Sequence, residues 1–78
     1  MNLRKTAKKL QTALCIQGRY FKINQYQSYS LNAERMVTKF VLVESIKDDV
    51  GELRNATILE TYQMADVVKK LAEIYGGG

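Results

Sequence analysis

The sequence predicts a single small α+β domain with the order α-β-β-β-α, a three-stranded antiparallel sheet and two helices on one face. Apolar residues recur every three or four positions near both ends of the chain, which is typical of amphipathic helices. Between them, apolar and polar residues alternate, as they do in strands. The 78 residues suffice for one hydrophobic core. We therefore expect one domain over residues 1–75 and a disordered glycine tail over residues 76–78.

The first helix is predicted over residues 3–16. Leu3, Ala7, Leu10 and Leu14 follow the spacing that lines one helical face. The predicted caps are Asn2 as the N-cap and Gly18 just beyond the C-terminal end.

The first strand is predicted over residues 19–27, where apolar side chains alternate with more polar ones. Phe21 and Ile23 point to one side, which we expect to be buried. The opposite, solvent-exposed side is expected to carry Tyr20, Lys22, Asn24 and Tyr26.

The rest of the chain supplies the other predicted elements. A polar loop over residues 28–34 leads to a central strand over 36–44, which is rich in β-branched residues. A turn built from Asp and Gly follows, then a third strand over 56–61. The second helix is expected from about Tyr62 to Tyr75, with Thr61 as its N-cap. The predicted core is Leu10, Leu14, Phe21, Ile23, Phe40, Leu42, Ile58, Val67, Leu71 and Ile74.

The composition excludes several classes of chemistry. The chain has no His and a single Cys, so it has no Ser-His or Cys-His nucleophile, no internal disulfide and no zinc knuckle. Asp48 and Asp49 are interpreted as turn residues in preference to a metal site, and Cys15 as a half-buried structural residue. We expect no enzymatic activity, no metal and no cofactor.

Positive charge is concentrated near the start of the chain. Six of the 12 basic residues lie within the first 22 residues, and no acidic residue precedes Glu34. Arg4, Lys5, Lys8 and Lys9 form a basic stripe opposite the apolar face of the first helix. This asymmetry indicates an anionic partner, although a solvated helix face has the same appearance.

The second candidate surface combines tyrosines with cations. Tyrosines can stack on nucleic-acid bases while Lys and Arg contact phosphates, and the same residue types are frequent at protein interfaces. Tyr is also a good strand former, so an ordinary strand remains an alternative. Together with the basic stripe, the candidate partner-binding or nucleic-acid-binding residues are Arg4, Lys5, Lys8, Lys9, Arg19, Tyr20, Lys22, Asn24, Tyr26 and Tyr29.

Two resemblances bear on function. The segments 18–24, 29–30, 35–40, 61–68 and 71–75 are similar to small uncharacterised proteins of phages and prophages from Gram-positive bacteria. That resemblance implies a phage setting, in which small proteins without catalytic residues often bind host defence complexes, as anti-CRISPR proteins do. The order helix, three strands, helix also resembles the double-stranded-RNA-binding domain, in topology only.

The predicted function is a non-enzymatic phage-type binding protein that inhibits a host antiviral nucleoprotein effector, in the manner of an anti-CRISPR protein. The alternative is a nucleic-acid-binding accessory protein of phage replication or recombination. We expect a cytoplasmic location in the bacterial host cell and no membrane association. Monomer and symmetric homodimer both stay open, because the sheet has two edges and an exposed face.

Overall fold

The computed structural model describes residues 2–77, and its central feature is an antiparallel sheet in the strand order β1-β2-β3. The element order is α-β-β-β-α, which confirms the predicted fold class. The elements are α1 (Leu3–Ile16), β1 (Tyr20–Ser30), β2 (Arg35–Lys47), β3 (Leu53–Thr61) and α2 (Met64–Gly77). No helix in the described part of the chain is long and apolar enough to cross a membrane.

Both predicted ends of α1 are confirmed. The Asn2 side-chain oxygen accepts a hydrogen bond of 3.2 Å from the Lys5 backbone N–H. At the other end Gly18 has a φ of +88°, which favours glycine, and its N–H donates to the Cys15 carbonyl at 2.9 Å. The Arg19 N–H reaches the Leu14 carbonyl at 2.9 Å. These two bonds form a Schellman motif, which turns the chain directly into β1.

The core lies between the two helices and one face of the sheet. Its buried members are Ala7, Leu14, Phe21, Phe40, Leu42, Val67 and Leu71, packed against partly buried Leu10, Ile23, Ile58, Leu59, Met64, Val68 and Ile74. All ten predicted core residues belong to this cluster. Two adjacent β3 residues, Ile58 and Leu59, join it because a β-bulge interrupts the pairing with β2 between Leu42 and Val43.

The strands are longer than predicted. β1 continues through Ser30 instead of ending at residue 27, so the expected loop over 28–34 shrinks to four residues. β2 extends to Lys47, and β3 begins at Leu53 opposite it. The reason is that backbone hydrogen bonds form the ladder whether or not the side chains are apolar, so polar stretches remain strands when a partner lies beside them.

The boundaries of α2 also differ from the prediction. The helix begins at Met64, and Thr61 is not its N-cap: the Thr61 hydroxyl accepts from the Gln63 N–H at 3.1 Å and donates to Asp66 at 2.6 Å. At the other end the helix includes Gly76 and Gly77, where a disordered tail was predicted. Glycine lowers helix propensity by about 1 kcal/mol but has no steric barrier to helical dihedrals. Gly78 lies outside the described residues.

Candidate binding surfaces

The first candidate surface is the α1 stripe, which we define as Arg4, Lys5, Lys8 and Lys9. All four side chains are exposed, while Ala7 and Leu14 on the opposite side of the helix are 1% and 0% exposed. The placement agrees with the prediction from helical spacing. The stripe therefore carries no part of the hydrophobic core.

The charge of the α1 stripe is not compensated within the described residues. Their four ion pairs join Arg19 to Glu44, Lys39 to Glu60, Arg54 to Asp48 and Lys70 to Glu73, and none includes a stripe residue. The first turn of α1 contains no acidic residue. Cations there oppose the helix dipole, by a few tenths of a kcal/mol to about 1 kcal/mol each. The α1 stripe is thus a positively charged surface that does not stabilise the helix that carries it.

The second candidate surface is the tyrosine row, which we define as Tyr20, Lys22, Asn24 and Tyr26 on the open face of β1. Tyr20 and Tyr26 are each 55% exposed, Lys22 is exposed and Asn24 is half-buried. At about 3.3 Å per strand residue, the Cα atoms of Tyr20 and Tyr26 lie roughly 20 Å apart along β1. The predicted division of β1 into a buried and an open side is correct for these residues.

The centre of the open face exposes little apolar surface. Val41 and Val43 of β2 point to this side, yet each is only 8% exposed because neighbouring side chains cover it. Beside them the Lys39 ammonium lies 2.9 Å from a Glu60 carboxylate oxygen. This contact raises the pKa of Lys39 above its ordinary value, through the hydrogen bond first and the attraction of the charges second. The tyrosine row therefore supplies exposed aromatic rings of this face, beside other exposed groups such as Leu53 and Glu60.

Arg19 does not join the tyrosine row. Its guanidinium donates two hydrogen bonds of 3.0 Å to the two carboxylate oxygens of Glu44, whose side chain is only 11% exposed. The same group lies 5.3 Å from the centre of the Phe21 ring. The hydrogen bonding to Glu44 raises the pKa of Arg19. A residue assigned to a partner on sequence grounds thus neutralises a buried carboxylate of its own chain.

Tyr29 lies on the other side of the sheet from the tyrosine row. It has the same parity along β1 as Phe21 and pairs with Met36 of β2. Its side chain is 59% exposed because this part of the hairpin extends beyond the core. Tyr29 was expected on or beside the same exposed face as Tyr20 and Tyr26, at the start of a predicted loop over 28–34, and that placement is wrong because β1 continues through Ser30. The sequence pattern is compatible with a longer strand, since Ser28, Tyr29 and Ser30 continue the alternation of residues 20–27.

The acidic turn is structural. Asp48 accepts from the backbone N–H groups of Val50 and Glu52 at 3.1 and 2.9 Å and from Arg54 Nε at 3.1 Å. These contacts, the Glu52 amide first, lower the pKa of Asp48 below its ordinary value. Within residues 2–77 no group of three or more acidic or Cys side chains could hold a metal ion. Cys15 is exposed, so its predicted half-burial is wrong.

Sequence reasoning missed a third exposed feature. The β1–β2 hairpin continues past the end of β3, and we call residues 26–39 of it the arm. The arm and its surroundings hold several exposed large side chains, namely Tyr26, Tyr29, Leu31, Met36 and the adjacent Tyr62. Its length depends on where β3 stops, which no local pattern reveals.

Comparison with known proteins finds no match to a family model, to a curated protein or to a solved structure.

Proposed function

We propose that this protein is a non-enzymatic binding protein of phage type that inhibits a host antiviral nucleoprotein effector, as anti-CRISPR proteins do. The observation that carries the proposal is the α1 stripe. Four exposed cations lie on one helix and have no ion-pair partner among the described residues, and the two in its first turn, Arg4 and Lys5, oppose the helix dipole. A role in binding an anionic surface accounts for a charge pattern that the fold itself does not need.

The electrostatic range of the stripe suits an effector that holds nucleic acid. At physiological ionic strength, surface charges act over about 8 Å, so the stripe attracts an anionic groove or acidic patch before contact is made. A basic surface such as the α1 stripe raises the rate of association with an anionic partner more than it raises the final affinity.

The tyrosine row supports a second candidate function, which is direct binding of single-stranded nucleic acid. Two exposed rings on one line of the sheet, with Lys22 between them, match the combination of stacking surface and phosphate contact that single-strand binders use. In this role the protein would be an accessory factor of phage replication or recombination.

The first experiment tests inhibition in a host. The parent chain, a Lys5→Glu/Lys9→Glu variant and a Lys47→Glu/Lys69→Glu control are produced in bacteria that carry a CRISPR defence, and plaques of a sensitive phage are counted. The control makes the same change in net charge at exposed residues outside α1. We expect plaques with the parent and the control and few with the stripe variant. Absence of plaques with the parent across several CRISPR types would contradict the proposed function.

Equal plaque counts for the stripe variant and the parent would show that α1 is only a solvated face. Loss of function through unfolding is checked by thermal denaturation. Acidic residues near a helix N-terminus should leave the melting temperature unchanged or slightly raised.

The second experiment separates direct nucleic-acid binding from protein binding. Fluorescence anisotropy of a labelled single-stranded oligonucleotide is measured across a salt series, because phosphate contacts make affinity fall steeply with salt. Tyr20→Ala and Tyr26→Ala should each weaken binding by roughly 5- to 150-fold with an unchanged salt slope. Tyr75→Ala on α2, also an exposed tyrosine, is the matched control. An affinity unaffected by the β1 substitutions would reject the tyrosine row as a stacking surface.

A further inference from the structure

The third strand, β3, pairs with only part of the length of β2. β1 and β2 pair over their full overlap, from Tyr20 with Ser45 to Ser30 with Arg35. β3 ends where Thr61 pairs with Phe40. Within the described chain, the five β2 residues Arg35–Lys39 therefore pair with β1 only, and their other side is an open strand edge.

This free edge adjoins an exposed groove. The groove has a volume of about 620 Å³ and is lined by both strands of the arm together with Tyr62, the residue that follows β3. Tyr29, Met36 and Tyr62 border it and are 59%, 59% and 63% exposed. Large side chains with apolar surface thus lie beside backbone donors and acceptors that have no strand partner.

An open edge of this length can accept one more strand. In an extended strand, every second residue directs its N–H and C=O to the same side, so a segment laid along the edge gains main-chain hydrogen bonds. Its side chains then alternate between the two faces. On the open face they meet Arg35, Val37 and Lys39, and on the helix side Met36 and Thr38.

Charge and register disfavour a second copy of this chain as the occupant. In antiparallel self-pairing centred on Val37, Arg35 would face Lys39 of the second copy, a cation whose ion-pair partner is Glu60, so Arg35 would gain no carboxylate of its own. Centring on Met36 places the turn residue Glu34 opposite Thr38, and Glu34 has a φ of +52° that breaks the extended strand. Centring on Thr38 requires residues Phe40 and Val41, whose edge β3 already occupies.

Arg35 at one end of this edge is exposed and takes part in none of the four ion pairs of the described residues, whereas Lys39 at the other end is already paired with Glu60 at 2.9 Å. We propose that residues 35–39 of β2 form a strand-addition site for an extended, acidic segment of a partner protein. A carboxylate of that segment pairs with Arg35 on the open face, an apolar side chain contacts Met36 on the other face, and Tyr62 borders the groove. This surface is separate from the α1 stripe, so the proposal does not depend on the function proposed for α1.

The test uses a blocked synthetic peptide, Gly-Asp-Leu-Thr-Leu-Asp-Gly, whose pattern reads the same in both strand directions. A peptide with Lys in place of both Asp residues is the control. Backbone amide shifts and amide hydrogen exchange of the labelled protein are recorded up to roughly 5 mM peptide, which populates even a complex of millimolar Kd. We expect the Asp peptide to shift amides of residues 35–39 and Tyr62 and to slow exchange at alternate residues of that edge.

A charge exchange then tests the assigned contact. Arg35→Glu should weaken binding of the Asp peptide by roughly 3- to 30-fold and favour the Lys peptide, because the cross-strand attraction becomes repulsion. Lys47→Glu is the matched control, since Lys47 lies on the same strand but pairs with Leu53 of β3. It should leave both affinities unchanged.

Four results would overturn the proposal. They are the absence of shifts at residues 35–39, equal shifts with both peptides, shifts confined to the α1 stripe, and a dimer that protects the same amides without peptide. The last of these would identify a second copy as the occupant. None of them bears on the plaque assay of the α1 stripe, so failure of one proposal is distinguishable from failure of the other.

Discussion

Leu71 lies on the core side of α2, and its side chain is 0% exposed. It belongs to the cluster in which both helices meet Phe40 and Leu42 of the central strand. Replacing Leu71 with Ala removes three carbon atoms from a site where solvent cannot enter. The substitution therefore tests whether the two helices and the sheet share one core.

The magnitude follows from the burial. Three buried carbons contribute roughly 2.4 kcal/mol of transfer free energy, at about 0.8 kcal/mol each. The cavity left behind adds to this, and measured Leu→Ala changes at buried sites fall in the range of about 2–5 kcal/mol. We expect a loss of about 3 kcal/mol, because the site is fully enclosed. In a domain of this size, each kcal/mol corresponds to about 4–8 °C in Tm, so Tm should fall by roughly 12–24 °C.

The assay is urea and thermal denaturation followed by circular dichroism. A small core rarely supplies more than about 3–5 kcal/mol, so Leu71→Ala leaves little folded protein. Val67→Ala, at a second fully buried position, removes two carbons and provides a milder variant, with an expected loss of about 2 kcal/mol. Leu31→Ala is the matched control, because Leu31 is 84% exposed. If both core variants keep a Tm within about 2 °C of the parent, the described core is wrong.

Two further predictions concern the polar contacts of the fold. A double-mutant cycle with Arg19→Met and Glu44→Gln should give a coupling free energy of unfolding of about 1–2 kcal/mol. This is less than for a fully buried pair, because the Arg19 side chain is 43% exposed. A coupling near zero would return Arg19 to the candidate partner-binding residues. Asp48 has a lowered pKa, so its contribution to stability is present above its ordinary pKa of 3.8 and is lost as the pH falls through the lower folded-state value. In urea denaturation from about pH 5 to about pH 2, Asp48→Asn should therefore lose less stability than the parent, and an identical loss would contradict the assigned role of the Asp48 carboxylate.

Features that depend on local geometry could be predicted from the amino-acid sequence. The 3.6-residue period of α1 separates the α1 stripe from Ala7 and Leu14, and the two-residue period of β1 separates Tyr20 from Phe21. Such periods follow from backbone dihedrals within one element and need no information about its neighbours. For the same reason the α-β-β-β-α order, both ends of α1 and all ten predicted core residues could be assigned without the structure.

Contacts between residues from distant parts of the chain depend on the tertiary structure. Arg19 and Glu44 are separated by 25 positions, and only the pairing of β1 with β2 brings the guanidinium onto the buried carboxylate. The bulge that turns both Ile58 and Leu59 inward depends on how β3 meets β2. The free edge at residues 35–39 exists because β3 ends opposite Phe40. Strand length and register are properties of a pair of strands, since each backbone hydrogen bond needs a donor and an acceptor from different segments.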